Sequence, residues 1–120
     1  MEFIERKKKF NIPIYFGEVW VIVTNNFEQS CIRWFEHNDG ISYDMANAGC
    51  DNRKGYNNSY VVIFRESTGI DDIVHECTHL KNKIFKERGI IPDTYNDEAE
   101  SYLMGYITKR VYKILTTFME

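Results

Sequence analysis

Hydrophobic positions follow strand-like patterns in the N-terminal half of the chain and helical patterns in the C-terminal half. Residues 12–24, IPIYFGEVWVIVT, are rich in β-branched and aromatic side chains on either side of Gly17 and Glu18. This composition predicts two short strands joined by a tight turn. Residues 60–64, YVVIF, predict a further strand.

Between these strands the pattern predicts a short helix and a long irregular segment. Asn26 can cap the helix, and its apolar residues fall on one stripe: Phe27, Cys31, Trp34 and Phe35. Residues 37–59 are dense in Asn, Asp and Gly, which favours loops with one short strand near residues 41–44.

Two long helices are predicted in the C-terminal half. Residues 67–89 have acidic residues at the start, basic residues at the end and Thr68 as a candidate N-cap. The buried face of this helix is predicted to comprise Ile70, Ile73, Val74, Cys77, Leu80 and Ile84. Residues 92–118 repeat the arrangement, with Thr94 as the candidate N-cap.

These elements predict a single α+β domain spanning residues 1–120. A small, mainly antiparallel N-terminal sheet with a short helix would pack on the two long C-terminal helices. The net charge of -3 gives no reason to expect a nucleic-acid partner. The longest apolar run, residues 19–23, is too short to cross a membrane, which needs about 20 residues.

The remaining composition favours a cytoplasmic protein. Three cysteines at unrelated spacings, Cys31, Cys50 and Cys77, do not form a disulfide framework. The basic cluster at residues 6–9 is followed by Asn11 and Pro13 rather than by the apolar stretch of a secretory signal.

The first long helix carries a pattern typical of zinc hydrolases. His75 and His79 lie four residues apart with Glu76 between them, and the chain contains three histidines in all. Four residues turn a helix by only about 40°, so both imidazoles project from one side and can bind one tetrahedral metal ion. Glu76 lies on the adjoining edge, where it can act on a metal-bound water as a general base.

A catalytic zinc needs a third protein ligand, and the second long helix offers two candidate carboxylates. Glu98 shares its helical face with Ser101 and Gly105, whose small size would let the two helices approach closely. Glu100 shares its face with an apolar stripe. The helical faces therefore favour Glu98, with Glu100 as the alternative.

Residues 67–113 resemble the gluzincin branch of zinc metallopeptidases, because HECTH is followed about twenty residues later by a helix that opens DEAESYLMGY. In size the chain resembles minimal SprT-like or ImmA-like domains and short phage-type metallopeptidases. The resemblance implies zinc on His75, His79 and Glu98, with Glu76 as the base. Gluzincins of the thermolysin type have an Asp four residues after the ligand Glu, whereas this chain has Tyr102, whose phenol could supply the corresponding hydrogen bond.

Two functions are consistent with these features. The first is a zinc-dependent peptidase acting on a peptide or protein substrate, which would pair as an extra strand along a sheet edge, with residues 60–64 the nearest candidate. The second is a non-catalytic protein in which zinc stabilises an interaction or assembly domain, an interpretation favoured by small size and abundant tyrosine.

Overall fold

The computed structural model describes residues 2–119 as an α+β fold. The elements in chain order are β1 Glu5–Asn11, β2 Glu18–Thr24, α1 Phe27–Trp34, β3 Ala48–Asn52, β4 Ser59–Arg65, α2 Ile70–Glu87 and α3 Glu98–Phe118. The four strands form one sheet in the order β1-β2-β4-β3. β1 pairs with β2 and β3 pairs with β4 in antiparallel fashion, while β2 and β4 are parallel. The predicted fold class, with a mainly antiparallel sheet, is confirmed.

The helices cover the two faces of the sheet unequally. α2 and α3 pack on one face, where their apolar stripes join the larger core cluster with Val19, Val21, Val62 and Phe64 from the strands. α1 covers part of the other face, where Phe27, Cys31, Trp34 and Phe35 join a smaller core cluster. The predicted stripe of α1 is therefore confirmed. The side of α2 that points away from α3 lies next to the edge strand β3.

Two strands lie elsewhere than the pattern predicts. β1 comprises residues 5–11, ERKKKFN, and residues 12–17 form the connection to β2 rather than a strand of their own. β1 is an edge strand, so its lysines remain exposed while Phe10 is buried, and an edge strand needs no strong hydrophobic pattern. The predicted strand at residues 41–44 is also wrong, because β3 comprises residues 48–52 instead.

The long helices begin later than predicted. α2 begins at Ile70 with Gly69 as its N-cap, and the carboxylate of Asp72 accepts hydrogen bonds from the Gly69 N–H at 3.2 Å and from the Thr68 hydroxyl at 3.4 Å. α3 begins at Glu98, with Asp97 rather than Thr94 as its N-cap. Neither N-cap makes a side-chain capping bond of its own.

The buried face of α2 is narrower than its sequence suggests. Ile73, Cys77, Leu80 and Ile84 are buried as predicted. Ile70 and Val74 are 61% and 45% exposed, because Ile70 opens the helix and Val74 lies at the margin of the stripe. None of the helices within residues 2–119 is long and apolar enough to cross a membrane.

Candidate metal centre

The two histidines of α2 converge on one point at the surface of the helix. Both side chains are exposed, their ring centroids lie 4.8 Å apart, and the Nε2 atom of His75 is 3.2 Å from the Nε2 atom of His79. The helical period brings the rings together as predicted, since residues four apart lie one turn above one another on the same side.

This separation suits a shared tetrahedral metal. Zinc binds imidazole nitrogen at about 2.0–2.1 Å, so two nitrogens at the tetrahedral angle lie about 3.3–3.4 Å apart. The observed 3.2 Å is within about 0.2 Å of that edge length. The same separation also permits one imidazole N–H to donate a hydrogen bond to the other ring. The separation of the two nitrogens therefore fits a shared zinc ion.

Glu76 is buried beside the exposed histidines. The residue is only 6% exposed. Charged residues are seldom buried to this extent without a partner. Burial raises the pKa of this carboxyl to about 7, while the neighbouring His75 opposes the rise. A carboxyl that titrates near neutral pH can both accept and return a proton, as a general base requires.

The surroundings of His79 favour the neutral form of its imidazole. Partial desolvation by the residues around it lowers the pKa of His79, and the nearby His75 and Lys83 lower it further. A neutral imidazole has a free lone pair, which is the form that binds a metal.

The histidines and Glu76 border a cavity of about 350 Å³ between α2, β3 and the segment that joins α1 to β3. Its other lining residues are Phe27, Phe35, His37, Ile41, Ala46, Ala48, Gly49, Cys50 and Asp51. The two histidines and Glu76 therefore lie at a concave site with walls contributed by other elements. Burial raises the pKa of the Cys50 thiol well above its ordinary value, so this cysteine remains a protonated wall residue.

A hydrogen-bonded cluster forms the polar end of this cavity. One carboxylate oxygen of Asp51 accepts a hydrogen bond from the backbone N–H of His37 at 2.7 Å. The other oxygen lies 3.3 Å from Nδ1 of His37 and 3.3 Å from Nζ of Lys83. The Asp51 side chain is only 8% exposed, and these partners balance its charge.

The structure does not bring the predicted third ligand to the histidines. Glu98 lies on the exposed face of α3 with Ser101, Tyr102 and Gly105, where these residues line a separate surface groove. Tyr102 is 76% exposed. Within residues 2–119, no three His, Cys, Asp or Glu side chains are grouped closely enough to hold a metal ion. The assignments of Glu98 and Tyr102 stay predictions.

The alternative carboxylate, Glu100, is engaged elsewhere. It lies on the inner side of α3, as its position on the apolar stripe indicates, and accepts a hydrogen bond from Nζ of Lys81 at 2.6 Å. Lys81 follows His79 by two residues, so it projects about 160° away from that histidine around α2. The first turn of α3 therefore lies against the side of α2 opposite His79.

The prediction that Ser101 and Gly105 allow α2 and α3 to approach closely is wrong. A Cβ atom added to Gly105 would have no neighbour within 4 Å. The side of α3 that packs against the core carries Leu103, Ile107 and Val111 instead. The small residues on the outer side of α3 thus serve no packing purpose here.

Several residues of the cavity could not have been identified from the sequence pattern. The side chain of His37 is 71% exposed, but it also lines the cavity. Asp51 lies in a segment that reads as a loop, whereas it is buried in β3 and contacts Lys83 of α2. Among these cavity residues, the sequence pattern indicates only Phe27 and Phe35, because the buried stripe of α1 predicts that they belong to a core.

The strand predicted to receive a substrate is also not available for pairing. β4 lies between β2 and β3, so both of its edges are already occupied. β3 is the edge strand beside the histidines, and its end is bridged to Phe35 through Arg53. Any strand added near the histidines would therefore pair with β3, chiefly along residues 48–51.

Comparison with known proteins identifies no relative. No family model matches the chain, and neither a curated protein nor a solved structure shows significant similarity to it.

Proposed function

We propose that this protein is a zinc-dependent peptidase in which His75 and His79 bind the metal ion and Glu76 is the general base. The observation that carries the proposal is the 3.2 Å separation of the two Nε2 atoms, which matches the spacing of two ligands on one tetrahedral zinc. The buried carboxyl of Glu76 borders the same cavity as the two rings. Two imidazole nitrogens with a carboxylate beside them form the arrangement that metal-assisted hydrolysis uses.

Each residue has a defined part in this chemistry. Zinc supplies a Lewis acid and makes a water molecule acidic near neutral pH. Glu76 accepts the proton of the water that attacks the peptide carbonyl, and then returns that proton to the leaving amine. The partial burial of its carboxyl removes competing bulk water and keeps the proton between the reacting groups.

Glu98 remains the proposed third ligand, and this assignment requires the first turn of α3 to move. Residues 91–99 are all exposed, and Asp97 makes no side-chain capping bond to α3. The exposed segment before α3 can rearrange at low cost, but the ion pair between Lys81 and Glu100 must also break. Zinc binding would offset that cost, because a metal stabilises the conformation that assembles its ligands.

A peptide substrate would bind as a strand against β3. This strand ends the sheet beside the histidines, and its residues 48–51 border the cavity. Backbone pairing along an exposed edge gives affinity without sequence preference, while side-chain cavities beside the edge select the residues.

A cytoplasmic location is part of the same proposal. Cys31, Cys50 and Cys77 are all free, and Cys31 and Cys77 are fully buried in different core clusters. Free buried thiols persist in a reducing compartment, where disulfides are rare.

The test is metal content followed by hydrolysis with Glu76→Gln as the variant. Purified protein should bind one zinc per chain and cleave a mixture of unstructured peptides. Glu76→Gln should retain the zinc and lose about 10²–10⁴-fold in rate, because the amide occupies the same space but cannot accept the proton. Protein that binds no zinc, or a variant as active as the unmodified chain, would exclude this function.

A second candidate function is a zinc-stabilised interaction protein, and the connection between β1 and β2 favours it. Ile14 and Phe16 are 84% and 77% exposed, and both have positive φ angles, 68° and 63°. A β-branched residue in this region is strained, and such strain clusters at functional sites. Ile14 also borders an apolar groove of about 440 Å³ together with Tyr102 of α3.

The two functions are distinguished by separate variants. If the protein acts by interaction, replacing Ile14 and Phe16 by Ser abolishes its biological role and Glu76→Gln leaves that role intact. If it acts as a peptidase, Glu76→Gln abolishes the role and the double Ser variant retains hydrolysis of short peptides.

A further inference from the structure

The cavity beside the histidines has one apolar wall, formed by the margin of the smaller core cluster. Phe27 and Phe35 are 3% and 2% exposed and belong to that cluster, and Ile41 and Ala46 pack against it. All four residues border the same cavity as His75 and His79. The core therefore contributes apolar side chains to the same cavity that the residues proposed for catalysis line.

This wall is fixed in place by contacts outside the cavity. Nε of Arg65 donates a hydrogen bond to the carbonyl oxygen of Ala46 at 2.9 Å, and its Nη2 donates to the carbonyl oxygen of Tyr43. The Arg65 guanidinium also lies 4.8 Å from the centre of the Phe27 ring. A preformed apolar surface loses little conformational entropy when a ligand binds to it.

The polar end of the cavity presents no free carboxylate that would favour a cationic side chain. The carboxylate of Asp51 already contacts Lys83 and His37. Glu76 is reserved for the proton transfer of the proposed reaction. A cationic side chain would therefore lose its hydration without gaining a free partner, whereas an apolar side chain would gain free energy from burial against the wall.

We infer that this cavity selects substrates with a leucine-sized or phenylalanine-sized apolar side chain next to the attacked carbonyl, and that Ala46 sets the size accepted. The inference rests on the proposed peptidase function. A volume of about 350 Å³ lies at the lower end of the range for ligand sites, so it suits one side chain rather than several. Ala46 is half-buried in the wall, and a larger residue there would project into the space.

Hydroxamates of N-acetylated amino acids test this inference by binding alone, because the hydroxamate group chelates zinc. The protein for the test is zinc-loaded Glu76→Gln, with its zinc content measured first, and the probes carry leucine, glycine or arginine. Burying a leucine side chain should make the leucine probe bind about tenfold to a hundredfold more tightly than the glycine probe. The arginine probe should bind no more tightly than glycine.

Ala46→Phe is the variant that addresses the size of the cavity, and Met45→Phe is its matched control. Met45 is the preceding residue, is 82% exposed and does not line the cavity. Ala46→Phe should reduce leucine-probe affinity to the level of the glycine probe and leave glycine-probe affinity unchanged. Met45→Phe should change neither affinity. Ala46→Leu replaces Ala46→Phe if circular dichroism shows that the larger residue prevents folding.

The outcomes separate this inference from the proposed function. Equal affinities for leucine and glycine probes in protein that holds zinc would overturn the apolar selectivity while leaving the metal site intact. Tightest binding of the arginine probe would also overturn it. Absence of zinc from the protein, with no probe bound, would overturn the peptidase function and the inference together.

Discussion

The histidine side of α2 and the exposed side of α3 border very different surfaces. On α2, His75 and His79 project beside a cavity whose far wall is built by α1, β3 and the segment between them. On α3, Glu98 and Tyr102 border a shallow groove formed chiefly by their own helix. The first region combines distant parts of the chain, and the second is local.

This difference shows which part of a metal site the helical period can supply by itself. The 3.2 Å approach of two imidazole nitrogens follows from a spacing of four residues on one helix. Bringing a carboxylate from α3 to the same point depends instead on how the two helices pack. The contact between Lys81 and Glu100 currently places the first turn of α3 on the far side of α2.

The largest effect is expected from removing either histidine. His75→Ala and His79→Ala should each lower zinc affinity by at least about a hundredfold, since even residues behind the ligands commonly contribute tenfold to a hundredfold. His37→Ala, which removes the third imidazole from the same cavity, should lower zinc affinity by less than about threefold. Titration against a chromogenic zinc chelator measures all three variants.

Equal losses of zinc affinity in the three variants would contradict the assignment of the metal to the histidine pair of α2. They would show that the metal lies deeper in the cavity, between His37 and α2, rather than on the helical pair. Unchanged zinc affinity in all three variants would show that zinc does not bind in this cavity.

The fold was predictable to the extent that hydrophobic periodicity determines it. The stripe of Ile73, Cys77, Leu80 and Ile84 identifies α2 and its buried side, because a helix on a sheet must bury one face. β1 was not predicted because it is an exposed edge strand in which only Phe10 is buried. Its run of lysines therefore shows no alternation of apolar and polar residues. β3 escaped because Asn, Asp and Gly favour loops, and pairing with β4 overrides that preference.

A smaller loss of zinc affinity is expected for Glu98→Ala. Removing one of three protein ligands should lower zinc affinity by about tenfold to a hundredfold, because water can replace a carboxylate more readily than the histidine pair. Glu100→Ala is the matched control two residues away, and should not lower zinc affinity, because it only removes the contact with Lys81 that holds the first turn of α3 away from the histidines. The same chelator titration compares the two variants.

Zinc binding should also slow amide hydrogen exchange in residues 91–101 if Glu98 joins the metal. These residues are largely exposed, so their exchange in metal-free protein should be fast. Unchanged zinc affinity in Glu98→Ala, together with unchanged exchange, would show that α3 keeps the position described and takes no part in the site.

The candidate site was less predictable than the fold, for a physical reason. His75, Glu76 and His79 lie on one helix, so the sequence alone places them together. Asp51 and Ala46 reach them only through the pairing of β3 with β4 and the anchoring of the preceding segment by Arg65. Such contacts depend on register and packing, which a single sequence does not encode in any short motif.

The smallest effect concerns the stability of the open side of α3. Gly105 lies within this helix, and a Cβ atom added there would meet nothing within 4 Å. Gly105→Ala should therefore raise the free energy of unfolding by about 0.5–1 kcal/mol, because alanine loses less backbone entropy in a helix. The melting midpoint should rise by roughly 2–5 °C. Gly49→Ala is the control, since its Cβ would lie 3.0 Å from Cε2 of Phe35 and should lower the midpoint. Zinc should leave the gain from Gly105→Ala unchanged, because the proposed movement of Glu98 involves only the first turn of α3. A gain that disappears when zinc is added would mean that the whole helix turns this side towards α2, so that Gly105 provides the close approach that the spacing of small residues suggested.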